Sequence, residues 1–148
     1  MNKIKIHHAI SSHLQEKING LTLILKETYE ATANESKSSA GDKHETAISM
    51  AQLEQEKLTK QINDFLELQS SLMNINPKSE HYSIELGSLV QTNNGWYYFS
   101  VGLGTVNIDS DSVFAMNPNA PIGKLLLGKK AGEKIEFNGR MTEIISVC

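Results

Sequence analysis

From Ile10 onward the chain sets large apolar residues at steps of four and three. Ile10, Leu14, Ile18, Leu21 and Leu25 form the ladder, and Thr28 and Thr32 continue it. Alternating steps of this kind mark a helix with one seam turned toward a partner helix. A second ladder, Ala47, Ala51, Leu58, Ile62, Phe65, Leu68 and Leu72, follows Gly41, with Glu54 falling in its seam. Two helices of about 30 residues joined by a short polar turn are expected to lie antiparallel. Toward that turn the seam shrinks to Thr28, Thr32, Ala47 and Ala51. Small side chains bury less area, so this end is expected to be the slender and looser one.

The grammar changes at Pro77. All three prolines and eight of the ten glycines lie from there on, among short runs rich in Val, Ile, Tyr and Phe. The runs within 84–91, 96–104, 105–111, 112–116, 133–139 and 140–147 read as strands. Asn94-Gly95 signals a hairpin turn. Residues 120–130 carry helix chemistry: Pro121 near the first turn, a leucine run, then Gly128 as a stop. The chain is therefore read as α+β. Residues 1–76 form a long antiparallel coiled-coil hairpin, and residues 77–148 form an antiparallel sheet with one short helix.

Composition narrows the function. A formal net charge of −3 gives no broad positive field, which argues against bulk nucleic-acid binding. The single cysteine, Cys148, cannot form an internal disulfide and suits a reducing compartment. No run approaches the length of a membrane span, and the first residues lack the form of a signal peptide, so the expected location is cytoplasmic. Gly102-Leu103-Gly104 lacks the third glycine and following helix of a dinucleotide fingerprint, and Gly123-Lys124 lacks the rest of a P-loop. His7, His8 and His13 are not spaced to share a metal and read as solvated. Trp96 to Phe99 reads as a strand with two aromatics in a core rather than a base-stacking platform.

Asp42 and Glu45 stand at the start of the second helix, after the turn. One reading is a capping-box-like pair, with Asp42 at the N-cap and Glu45 three residues on, each contributing about 1 kcal/mol. The other reading is that both carboxylates reach outward to Mg²⁺, which is commonly held by one or two carboxylates plus waters and phosphates. Two exposed acids would hold such an ion weakly and only complete a site supplied by a partner.

Residues 41–49, Gly-Asp-Lys-His-Glu-Thr-Ala-Ile-Ser, resemble the tip motif G-D-L-x-E-N-A-E-Y of the bacterial Gre family of transcription elongation factors. Residues 120–129, Ala-Pro-Ile-Gly-Lys-Leu-Leu-Leu-Gly-Lys, with Gly132-Glu133 following, resemble that family's C-terminal signature S-P-I-G-R-A-L-L-G-K. Residues 86–90 resemble the G-S-x-V that opens its C-terminal sheet. The resemblance implies an FKBP-like second domain that docks on RNA polymerase at the secondary channel, with Pro121, Ile122, Gly123, Lys124, Gly128 and Lys129 as the partner-binding motif. It implies that Asp42 and Glu45 are lent to the polymerase site, sharing its Mg²⁺ and stimulating cleavage of backtracked RNA. On this reading the chain is not itself an enzyme, and it binds neither a membrane nor specific DNA sequences. Thr46, Ile48 and Ser49 depart from the family's Asn, acid and aromatic at those places. An alternative is therefore a Gre-like regulator that occupies the channel without promoting cleavage. A prolyl isomerase with a coiled-coil handle and a plain coiled-coil adaptor are the readings from other classes.

Overall fold

A computed structural model of the chain describes residues 1–35 and 41–148, without the side chains of 35 and 41–44. Two long helices, α1 (Lys3–Glu35) and α2 (Gly41–Met73), precede a six-stranded sheet with one short helix. The strands are β1 (Leu89–Thr92), β2 (Gly95–Phe99), β3 (Gly104–Ile108), β4 (Asp111–Met116), β5 (Lys134–Phe137) and β6 (Arg140–Val147); α3 (Pro121–Leu126) lies between β4 and β5. The fold is α+β. Among the described residues no helix is long and apolar enough to cross a membrane.

Two compact units emerge. One is residues 14–67; the other joins residues 1–13 to residues 68–148. The start of α1 and the end of α2 thus belong with the sheet.

Within 14–67 the helices are antiparallel: Lys17 Nζ lies 5.8 Å from the centre of the Phe65 ring, and Gln55 reaches Thr32. Leu14 and Ile18 are buried, while Leu21, Leu25, Thr28 and Thr32 are half-buried, so the α1 ladder is the seam. On α2 the seam is more regular than the pattern of apolar residues alone suggests. It runs Ile48, Ala51, Gln55, Leu58, Ile62, Phe65, with Glu54 and Ala47 exposed. Stepping back three from Leu58 lands on Gln55, a polar residue that an apolar count passes over. The threonine hydroxyls are satisfied within their own helix: Thr28 donates to the Ile24 carbonyl and Thr32 to that of Thr28, each at 2.9 Å.

The sheet order is β3-β4-β2-β1-β6-β5. Every pairing is antiparallel except β2 with β4, which is parallel. The expected all-antiparallel pattern fails there for a topological reason. After β2 the chain crosses to the outer position as β3, and a two-residue turn at Asp109-Ser110 brings it back as β4 beside β2. The β1–β2 turn is Asn93-Asn94, one residue earlier than expected, since Thr92 pairs with Gly95. Gly95 opens β2 at φ +124°, a conformation that favours glycine.

Both faces of the sheet are covered. On one face Phe99, Val90, Met116 and Ile144 pack with Ile84, Leu126 and Ile135, and Tyr97, Ile122 and Val147 lie against them. Side chains alternate along β2, so Tyr98 faces the other way. It is fully buried too, in register with Leu89 and Ala115, which are also fully buried. Trp96 and Tyr97 are each half-buried. The aromatic run of β2 is thus buried or half-buried, in line with the core reading.

The start of α1 belongs to this same unit. Asn2 caps it, its Oδ1 accepting the Lys5 amide at 3.1 Å. Ile6 and Ile10 are fully buried. His7, expected to be solvated, is half-buried, with Nδ1 2.8 Å from the Tyr98 hydroxyl. Burial pushes that hydroxyl's pKa up to about 12. Desolvation first, and the charge of His8 second, hold His7 below its ordinary 6.5. A neutral imidazole accepting the Tyr98 proton fits both shifts. Lys3 also bonds the Ser79 carbonyl, and Lys5 pairs with Asp109.

The pH dependence follows. Near pH 6 the unfolded chain binds a proton at His7 more readily than the folded one, so stability is full above about 6.5 and falls as the pH drops through that value and then through the lower folded value. His7→Gln is expected to flatten this decline between roughly pH 7 and pH 5, read as the denaturation midpoint against pH. A wild-type midpoint that rises on acidification through this range would contradict it.

Candidate functional site

The acid pair lies at the start of α2. The helix begins at Gly41, which places Asp42 inside its first turn and Glu45 three residues further on. Residues three apart share a helix face. Glu45 is exposed, as are Thr46 and Ser49. The Asp42 side chain lies outside the described residues, and with it the predicted N-cap bond. Ile48, one turn beyond Glu45, is half-buried and lines a hollow of about 370 Å³ with Ile24, Thr28, Ala31, Thr32 and Ala51. The position where the Gre motif carries an acid is here part of the seam.

The pair offers hard oxygen donors, the type Mg²⁺ prefers, but Mg²⁺ takes six ligands. Among the described residues no group of three or more His, Cys, Asp or Glu side chains is placed to hold a metal. Two carboxylates would leave the larger part of such a shell to other ligands. The electrostatic setting is acidic. Residues 14–67 hold ten Asp and Glu against six Lys, a formal −4, while the rest of the chain has seven acids against eight bases, a formal +1. Phosphate backbones are repelled by such a hairpin, and a basic enclosure attracts it.

The second sequence motif builds α3 and its exit. Pro121 occupies the first turn, and Ala120, without a side-chain cap bond, is the N-cap. Gly123 is buried, and a Cβ there would stand 2.8 Å from the carbonyl oxygens of both Asn117 and Pro118. Gly128, at φ +79°, ends the helix. Its amide donates to the Ile84 carbonyl, and the Ile84 amide donates to Lys129, both at 2.8 Å. Of the six residues in this motif, Gly123 is buried and Ile122 and Lys129 are half-buried, whereas Pro121, Lys124 and Gly128 are exposed. Leu125 and Leu127 also face outward. The sequence reading missed them as surface residues, although a six-residue helix with Gly123 and Leu126 inward leaves positions 124, 125 and 127 no other direction.

No family model matches the chain, and no curated protein matches it. Among solved structures it is similar to the transcription factor Gfh1, at 17% identity over 93% of this chain and 92% of that one, with a TM-score of 0.39.

The backbone role of Gly123 can be separated from the surface role of its neighbour. Gly123→Ala is expected to destabilise by about 1–3 kcal/mol, because two carbonyls must move. Lys124→Ala should stay within about 0.5 kcal/mol of wild type. Urea titrations read at Trp96, the single tryptophan, measure both.

Proposed function

We propose that this chain is a Gre-like accessory factor of RNA polymerase. The sheet-bearing unit docks at the secondary channel through α3 and its exit, with Lys124, Leu125 and Leu127 as the outward side chains. The 14–67 hairpin enters the channel, and Asp42 and Glu45 approach the polymerase active site. There the two carboxylates complete the shell of a Mg²⁺ that the polymerase also holds. When bound, such an ion activates a water and stabilises charge on the phosphate being cleaved. Asp42 and Glu45 contribute charge and orientation; the hydrolysis of backtracked RNA is the polymerase's own, so the factor is not an enzyme.

One observation carries the reading: two acidic residues three apart in the first turn of the second helix of an antiparallel hairpin, with Glu45 exposed and, among the described residues, no group of three or more side chains placed to hold a metal. A pair this incomplete has a use in metal chemistry where a partner supplies the remaining ligands. The acidity of the hairpin, with its formal −4, supports entry into a basic channel rather than binding along RNA.

A second reading has its own observation. Ile48 lies in the seam-side hollow where the motif would have a third acid. A hairpin with only the pair can occupy the channel and block it without promoting cleavage.

The test is the double variant Asp42→Asn/Glu45→Gln, assayed for cleavage by backtracked polymerase and for retention on core polymerase. Binding is expected to match wild type, since both changes keep size and polarity. Cleavage stimulation is expected to fall by at least the 10–100-fold that even outer partners of a metal are worth. Equal stimulation by variant and wild type sinks the cleavage mechanism. A wild-type protein that binds and inhibits without stimulating selects the second reading, and one that does not bind removes both.

A further inference from the structure

The sheet ends in two edge strands, β3 on one side and β5 on the other. The outer side of an edge strand offers backbone donors and acceptors to any other strand, and proteins commonly blunt it with charge, proline or a bulge. β5 is blunted. Lys134 and Glu136 alternate along it as exposed side chains, and Lys134 stands opposite Glu143 of β6. β3 has none of these devices. No residue from Gly95 to Ile108 is charged or a proline. Its pairing with β4 runs from Gly104 to Ile108 without a shift in register. Thr105 and Asn107 are exposed, whereas Val106 and Ile108 between and beyond them are buried.

This edge is complementary to itself. Two β3 strands meeting antiparallel about a two-fold axis at Val106 place Thr105 opposite the partner's Asn107, and Asn107 opposite the partner's Thr105. Residues directly opposite in such a ladder share a face, and this polar pair can hydrogen-bond across it. Neighbouring registers fit less well. Moving the axis to Asn107 sets Thr105 against Asp109, which leaves the strand at φ +56°. Moving it to Thr105 carries the pairing past Gly104, which stands at φ +84°. The register centred on Val106 keeps all five strand residues paired. Charge favours the same contact. Residues 14–67 carry a formal −4 and repel a second copy, whereas the unit that holds the sheet carries a formal +1. A head-to-tail contact of β3 on β5 would meet Lys134 and Glu136, and such contacts form an open chain unless their rotation closes a ring.

We propose that β3 is a docking edge for a second copy of this chain. The two strands pair antiparallel about Val106, and the two sheets become one continuous sheet in a two-fold dimer. An edge contact of five residues is small, so the dimer belongs with the transient interfaces, those below about 1,200 Å². The proposal does not rest on the function proposed above.

Sedimentation velocity of the full chain, up to millimolar concentration, reads the dimer. Wild type is expected to move from monomer toward dimer as concentration rises. Thr105→Lys/Asn107→Lys sets like charges opposite each other at two places, and its dissociation constant is expected to rise by about tenfold or more. Thr105→Lys/Asn107→Glu sets lysine opposite glutamate at the same two places, and should return to within about threefold of wild type. In registers centred on Thr105 or Asn107 this second variant would oppose like charges instead, so the two variants together read the register. Both positions are exposed, and urea titrations at Trp96 check that each variant folds. A wild type that stays monomeric at millimolar concentration overturns the proposal. So does a dimer that the double-lysine variant leaves intact, or that the lysine–glutamate variant fails to restore. Hydrogen exchange tests the wild type without any substitution: amides within 104–108 are expected to slow as concentration rises, and unchanged exchange there also overturns the proposal. No polymerase enters these measurements, so their failure is distinct from failure of the cleavage mechanism.

Discussion

Tyr98 and Phe99 are neighbours on one strand, and both are fully buried. Successive strand residues point to opposite faces, so this one pair obliges the sheet to be covered on both sides. Phe99 is met by Ile84, Leu126 and their neighbours. Tyr98 brings a hydroxyl into the other layer, and a buried hydroxyl needs a partner. His7 supplies it. The start of α1 is therefore structurally part of the sheet unit, fixed by a hydrogen bond and by Ile6 and Ile10.

The two ends of the hairpin unit are stabilised differently. Leu14, Ile18 and Leu58 are buried aliphatic residues, and their volume fixes the packing without help. Nearer the connection the seam is built from threonine, alanine and glutamine. Each such contact buries less area, and shape no longer selects one arrangement. The hydroxyl of Thr32 is bonded back to its own helix and forward to Gln55, a directional contact of a kind that apolar packing does not provide.

Much of the fold was legible in the sequence. The α1 ladder from Ile10 to Thr32 is the buried stripe, and Pro121 and Gly128 bound α3 where helix chemistry places them. What escaped notice did so for physical reasons. Gln55 is polar, so a count of apolar residues steps over it onto Glu54. The parallel pairing of β2 with β4 is a matter of chain routing, and local patterns hold no record of routing. His7 was read as solvated because its partner lies 91 positions away in the chain. For the candidate site, the place of Asp42 and Glu45 in the opening turns of α2 was legible from the sequence. The seam-side position of Ile48 required the phase of α2, which apolar spacing alone misplaces by stepping onto Glu54.

The α3 motif and the acid pair support different parts of the functional reading. Pro121, Gly123 and Gly128 are residues whose identity the local backbone explains: a first-turn position, a contact in which a Cβ would meet two carbonyls, and a positive φ. A resemblance carried by such residues speaks for a shared local geometry, and any chain with that geometry would need them whatever it binds. The side chains the backbone does not dictate are Lys124 and Leu125 on α3, Leu127 at its exit and Glu45 at the start of α2, all exposed. At position 48 the same reasoning runs the other way. An acid there would lie half-desolvated against Thr28 and Ala51 unless it turned outward, whereas isoleucine adds apolar contact where the seam is thinnest. Ile48 thus favours closure of the hairpin over an oxygen ligand at that place.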